Sequence, residues 1–221
     1  MSGLMIRDFM ILKARYLPLK TLAFAGFSFV FSVLMGFAGS SLLSVIAPLS
    51  ALSVTLGLFA TDHTDAWHVF LCTCPISLKI VVLSRYIVVF GTIVAASAFG
   101  FILNLITFAA FREQEIIWYF AFTLAGLVGT CASALISMPF CYWSGASGSN
   151  IGQIVPFLFL GGLAAGVRAI DIRRVASFLF ALSPLHYFIA IAVILVLGFI
   201  ASAAASAFLY RQRLNEGRFS R

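Results

Sequence analysis

Three stretches of this chain, residues 21–61, 87–111 and 116–167, contain no Asp, Glu, Lys, Arg or His. Runs of that length and apolarity belong in a lipid bilayer. An ionised side chain at the bilayer centre costs about 2.5–3.5 kcal/mol even on the lenient insertion scale. Backbone polar groups at that depth must be satisfied within the segment itself, which selects helices. With 62% hydrophobic and only 10% charged residues, the chain is unlike a soluble domain.

At about 20 apolar residues per crossing, it reads as an all-α membrane protein. Residues 1–221 form a single transmembrane domain with six spans near 21–38, 42–60, 87–110, 116–138, 150–168 and 186–209. The breaks carry turn chemistry. Gly39-Ser40-Ser41 reads as a tight turn, Arg112-Glu113-Gln114-Glu115 as a short charged hairpin, and 144–150 as a polar link ending in the helix-capping residue Asn150. The segment Arg168–Pro184 is the least defined of the breaks, and its three arginines fit the topology least well.

Basic residues set the orientation, since Lys and Arg near span ends stay on the cytoplasmic side. With both termini inside, that side holds Arg7, Lys13, Arg15, Lys20, Lys79, Arg85, Arg211, Arg213, Arg218 and Arg221, against Arg112, Arg168, Arg173 and Arg174 on the other. The net charge of +7 is then explained by anionic headgroups and calls for no nucleic acid. The N-terminus reads as retained rather than cleaved, because a second span follows the first at once. Met5, Phe9, Leu12 and Tyr16 recur at helical spacing with Arg7, Asp8, Lys13 and Arg15 off the stripe, which predicts an amphipathic helix on the inner leaflet.

The polar interruption 61–86 carries the functional expectations. Trp67, Phe70 and Leu71 share one helical face, Asp62 and Asp65 suit its first turn, and Pro75 ends it. Ser77 is placed to cap a second helix that carries Lys79, Ser84 and Arg85 into the third span, with Tyr86 at the headgroup level. The expected result is a short helix lying crosswise under the membrane and joined through a proline elbow to a spanning helix. An amphipathic loop helix resting on lipid is the plainer alternative. Among neutral polar groups in the spans, Asn104 and Thr107 could line a pathway, although helix-to-helix hydrogen bonding is the simpler role for Asn104. The four cysteines, Cys72, Cys74, Cys131 and Cys141, are expected to stay reduced. Cys72 and Cys74 with His63 and His68 lack zinc-ligand spacing.

Asp62, Trp67, Phe70, Pro75-Ile76-Ser77, Lys79 and Val82-Leu83-Ser84-Arg85-Tyr86 resemble the motif between the second and third spans of small six-span ABC-2 type transporter permeases. The opening Gly3-Leu4-Met5-Ile6-Arg7-Asp8 with Leu12-Lys13, and more faintly Pro139, Tyr142 and Gly145, are similar to other marks of that family. His63, Val69 and Leu78 depart from it, as does the uncharged stretch 146–150.

The resemblance implies an exporter subunit of the cell membrane, with 61–86 as the coupling segment. It would pair with a separate ABC ATP-binding subunit that holds the ATP, and with a second permease chain, identical or not. Asp62, Asp65, Trp67, Phe70, Pro75, Ser77, Lys79, Ser84, Arg85 and Tyr86 would then be the coupling residues. The separateness has independent support, because none of Lys13, Lys20 and Lys79 sits in a phosphate-cradling G-x4-G-K-[ST] loop. No enzymatic activity and no cofactor of its own are expected. A charge-poor interior rich in Phe suggests a hydrophobic or amphipathic peptide as cargo. The absence of ionisable groups from the first four spans disfavours an ion-coupled carrier. Two alternatives come from other classes. A rhomboid-like intramembrane serine protease would use Ser147 in Gly145-Ala146-Ser147-Gly148 with His186, and a membrane scaffold would transport nothing.

Overall fold

The computed structural model describes residues 2–16, 19–64, 76–144, 148, 154 and 184–215. Among these the chain forms five helices and no strand: α1 (Ser2–Tyr16), α2 (Leu19–Thr64), α3 (Leu78–Phe111), α4 (Ile116–Ser144) and α5 (Pro184–Asn215). Among the described residues, four stretches are long and apolar enough to cross a bilayer: Ala23–Asp62, Leu78–Phe111, Ile116–Ser144 and Ile189–Arg213. The expected span at 150–168 lies outside the described residues, apart from Ile154.

Helix α2 would measure about 70 Å if straight, more than twice the roughly 30 Å hydrocarbon core. It is bent instead at Gly36, whose φ of 55° and ψ of −135° are non-helical and open to glycine alone. The bend is sharp. A Cβ placed on Gly39 would lie 2.9 Å from the Phe31 carbonyl oxygen, whereas eight residues of straight helix separate such positions by about 12 Å. The two arms of α2 therefore fold back on each other. The expected turn at Gly39-Ser40-Ser41 is corrected accordingly: these residues are helical and buried, and the reversal takes the position where the backbone adopts a positive φ. Helix α3 starts at Leu78, directly after the expected cap position Ser77, and runs on through the expected third span, while α4 continues past 138 to Ser144.

The helices pack through small residues, as expected where lipid removes the hydrophobic drive between them. A Cβ on Gly100 of α3 would lie 2.9 Å from Ser44 Cα, and one on Gly126 of α4 would lie 2.5 Å from the Ser44 carbonyl oxygen. Pro48, one turn further along α2, has no N–H to donate to that oxygen. Gly126 thus closes on a carbonyl that its own helix leaves unpaired, a geometry suited to a Cα–H···O contact. Pro139 repeats the situation in α4. It deprives the Leu135 carbonyl of its helical donor, and the Ser202 hydroxyl of α5 donates there at 2.5 Å. Nearer the end of the bundle away from Gly36, Leu52, Leu56, Phe59, Val82, Tyr86, Val89, Ile93, Met138, Tyr142 and Tyr210 form one apolar core across α2–α5.

Helix α1 docks on this body through Leu12, which packs with Leu58 and Val88, flanked by Met5 and Ile11. The predicted stripe is only half kept. Met5 and Leu12 face inward, but Phe9 is 60% exposed beside Ile6 and Met10. Position 8, one turn from both Met5 and Leu12, takes the inward place because its carboxylate has partners there.

Gly126→Ala should lower the thermal midpoint of the detergent-solubilised chain, since overpacking costs about 1–3 kcal/mol. Gly129→Ala, on the same helix with nothing within 4 Å of the added methyl, should leave it unchanged or raise it. A double-mutant cycle tests the proline repair. Ser202→Ala should cost about 1 kcal/mol in the parent and less in a Pro139→Ala background, where the helix again supplies Leu135 with an N–H.

Candidate functional site

The end of α2 and the start of α3 flank the polar interruption, and a buried ionic cluster ties them together. Asp62, near the end of α2, accepts a hydrogen bond from Arg85 Nη2 of α3 through Oδ2. Arg7 of α1 donates to Asp62 Oδ1 at 2.7 Å and lies 3.4 Å from Asp8 Oδ1. Arg85 Nη1 stands 3.2 Å from Asp8 Oδ1, an ion pair without hydrogen-bond alignment. The Arg85 guanidinium also lies over the Phe59 ring, 5.2 Å from its centroid, a favourable cation–π placement.

Two arginines and two aspartates make the cluster neutral, which is the condition for burying it. Asp8 is 4% and Arg85 6% exposed. Charges this deep survive only when paired, and breaking such a pair from one side costs about 3–5 kcal/mol. Aromatic rings close the cluster off: Phe59 meets Tyr142 edge-on at 5.0 Å, and Tyr142 meets Tyr210 of α5 at 5.5 Å. The ends of all five helices nearest the interruption thus converge on one assembly. What it can do is hold both flanks of the interruption, together with α1, in one fixed arrangement.

The expected coupling residues fall into distinct groups. Asp62 and Arg85 are brought together. Ser77 precedes the first turn of α3 as expected, with its carbonyl accepting from Ile80 and Val81, but its hydroxyl makes no capping bond. Lys79 is exposed. Ser84 is buried and donates to the Val81 carbonyl. Tyr86, expected at headgroup level, is instead fully buried. Its hydroxyl lies 2.6 Å from Ser202 and 2.8 Å from Ser206, because the α5 hydroxyls offer partners that lipid cannot. Asp65, Trp67, Phe70 and Pro75 lie outside the described residues, as do Cys72 and Cys74. Cys131 and Cys141 are free and buried.

Of the pathway candidates, Asn104 is wholly buried and donates through Nδ2 to the Tyr119 carbonyl at 3.1 Å and to Thr123 Oγ1 at 2.9 Å, clamping α3 to α4. The Thr107 hydroxyl donates to the Leu103 carbonyl of its own helix. Arg7 and Asp8 are the site residues that sequence reasoning did not assign to the interruption. The available signal was the lone acid in a basic N-terminal segment, set between Met5 and Leu12 at helical spacing.

Burial holds the Asp8 carboxyl above its ordinary value of 3.8, against the pull of Arg85; Asp62 adds to the rise and Arg7 opposes it. The folded state therefore binds this proton more tightly than the unfolded chain. The contribution of Asp8 to stability is fully present below about pH 4 and diminishes as pH rises through the folded-state value. Asp8→Asn, which cannot ionise, should flatten that part of the pH dependence of the melting midpoint. An unchanged slope would mean that Asp8 ionises as freely in the folded protein as in water.

Comparison with known proteins follows the same line. The family model described as ABC-2 family transporter protein matches residues 3–211, nearly the whole chain and every helix described above. No match is found among curated proteins or among solved structures. The protease alternative gains nothing from the family, and Ser147 and the His186 side chain lie outside the described residues. With four long apolar helices and a family match from end to end, the chain belongs to the ABC-2 transporter family, as a membrane-spanning permease component.

Proposed function

We propose that this chain is the transmembrane half of an ATP-driven exporter and receives its power stroke through the segment between α2 and α3. One observation carries the reading most. Both flanks of that segment, Asp62 and Arg85, are ion-paired to each other and to α1. A push on 65–75 would then be delivered to several helices together and would not be lost in a loose loop. Trp67 and Phe70 supply the apolar anchor for a groove on an ATP-binding subunit. Asp65, Lys79 and the Pro75 elbow set its approach.

ATP binds to that separate subunit, since no lysine of this chain has a phosphate-loop setting. Two permease chains, identical or sister, enclose the path. Six crossings are counted from the two arms of α2, from α3, α4 and α5, and from 150–168. The end bearing the ionic cluster faces the cytoplasm of a plasma-membrane protein, in keeping with the basic residues gathered there. Outward transport rests on family likeness, and a hydrophobic or amphipathic peptide is the cargo that suits a path without charges.

The test is purification of the tagged full-length chain from its native membrane. A subunit carrying a G-x4-G-K-[ST] loop should accompany the parent and be lost from Trp67→Ala/Phe70→Ala, while the variant still inserts and melts as the parent does. Retention of the ATPase by the double variant would place the docking surface elsewhere. Absence of any such subunit from the parent would remove the exporter reading.

A further inference from the structure

At the end of the bundle opposite the ionic cluster, one residue of the α3–α4 loop reaches into the reversal of α2. Glu113 Oε2 accepts a hydrogen bond from the Phe37 N–H at 2.8 Å, the first amide after the bend and one that an N-terminal turn leaves without a helical partner. Gly36 makes room for this. A Cβ there would meet the carboxylate, with Oε2 at 2.7 Å and Cδ at 2.8 Å. The absence of a side chain at position 36 thus serves two ends, the positive φ and the seat of the Glu113 head group.

Neighbouring contacts set the approach. Arg112 adopts a left-handed backbone with φ 51°, and its N–H returns to the Phe108 carbonyl at 3.1 Å, which turns the next residue toward α2. The Phe37 ring packs edge-on against Tyr119 and Phe122 of α4, at 4.8 and 5.7 Å. The nearby ionisable groups are Arg112 and Glu115 of the same loop and Tyr119 of α4. The arms of α2 contribute none, because 21–61 is free of charge.

We propose that Glu113 is a latch: its carboxylate fastens the reversal of α2 to the α3–α4 loop, so that two hairpin ends on this face of the membrane move as one body. A negative charge suits the amide end of the second arm electrostatically, and no other acidic residue among the described ones is bonded to that turn. The latch goes beyond the transport reading and does not depend on the identity of an ATP-binding partner. It makes Glu113 a positioning residue, since it acts through the position of α2.

The experiment uses the full chain in lipid nanodiscs with Cys72 and Cys74 replaced by serine. Spin labels are attached at the exposed positions Leu34 and Ile117 (L34C/I117C), and a second sample is labelled at Phe9 and Lys79 (F9C/K79C) near the ionic cluster. The Leu34–Ile117 distance distribution should be single and narrow in the parent. It should broaden severalfold in Glu113→Ala and partly in Glu113→Gln, which keeps an acceptor oxygen but loses the charge, while the Phe9–Lys79 distribution stays as it was. An unchanged Leu34–Ile117 distribution in both variants would overturn the latch. So would broadening at both ends of the molecule, which would mean loss of the fold and not a local release.

Discussion

Arg85 is the constraint around which the described structure is organised. It sits where α3 leaves the aqueous edge, buried to 6% exposure, in a chain with very few charges to offer it. A buried guanidinium must find carboxylates, and only seven acidic residues exist in the sequence. Asp62 comes from across the interruption and Asp8 from the N-terminal helix, and Arg7 restores the balance that two aspartates would otherwise tip. The requirement of neutrality at low dielectric thus dictates that three separate helices meet at this point. The position of α1 follows from this: its Asp8 faces inward, and Leu12 is carried with it onto Leu58 and Val88.

Away from that end, the bundle solves a different problem with neutral groups. Prolines in α2 and α4 each leave one carbonyl without its helical donor, and in lipid that debt cannot be passed to water. A glycine Cα on α4 closes over one of these carbonyls, and a serine hydroxyl on α5 donates to the other. Most remaining hydroxyls turn back onto their own helices, as Thr55 does to the Ala51 and Leu52 carbonyls and Ser133 to Gly129. Ser202 does more than its neighbours, since it joins Leu135 of α4 to the Tyr86 hydroxyl of α3. Helix α5 is therefore held by directional bonds at its inner face, while Ile194, Leu197 and Ile200 remain exposed, as suits a surface in contact with hydrocarbon.

Much of this was legible in the sequence, because the cost of burying a charge in lipid is large enough to mark helices by the absence of ionisable residues. The spans read at 87–110 and 116–138 and the charged hairpin between them follow from that single rule, and they lie within the helices 78–111 and 116–144. What the rule does not give is where a helix bends. Gly39-Ser40-Ser41 has better turn chemistry than Gly36, yet the bend falls at Gly36, beside a tertiary partner, Glu113, that lies far along the chain. Tyr86 departs from expectation for a related reason. A tyrosine near a span end reads as an interfacial anchor, and only the presence of Ser202 and Ser206 on α5 reveals that its hydroxyl is satisfied inside. The pairing of Asp62 with Arg85 was within reach, since both belong to one motif. The share of Asp8 required knowing that position 8 joins Met5 and Leu12 on the face of α1 that meets the bundle.

The distribution of these contacts bears on how a bundle of this kind could move. Ionic ties sit at one end, in the cluster of α1, α2 and α3, and a carboxylate-to-amide bond sits at the other, across the α2 reversal. Between them the contact of Ser44 with Gly100 and Gly126 is close enough that sliding α2 past α3 or α4 would bring backbone atoms into collision. Interfaces packed that tightly shift between discrete arrangements and resist gradual deformation. A displacement delivered at Asp62 and Arg85 would therefore carry α2, α3 and α4 together, and relative motion would fall to contacts made by fewer directional bonds. The first arm of α2 meets this description, since Phe27, Val30 and Leu34 are exposed there and Ser28 and Ser32 are buried without a bonding partner among the described residues.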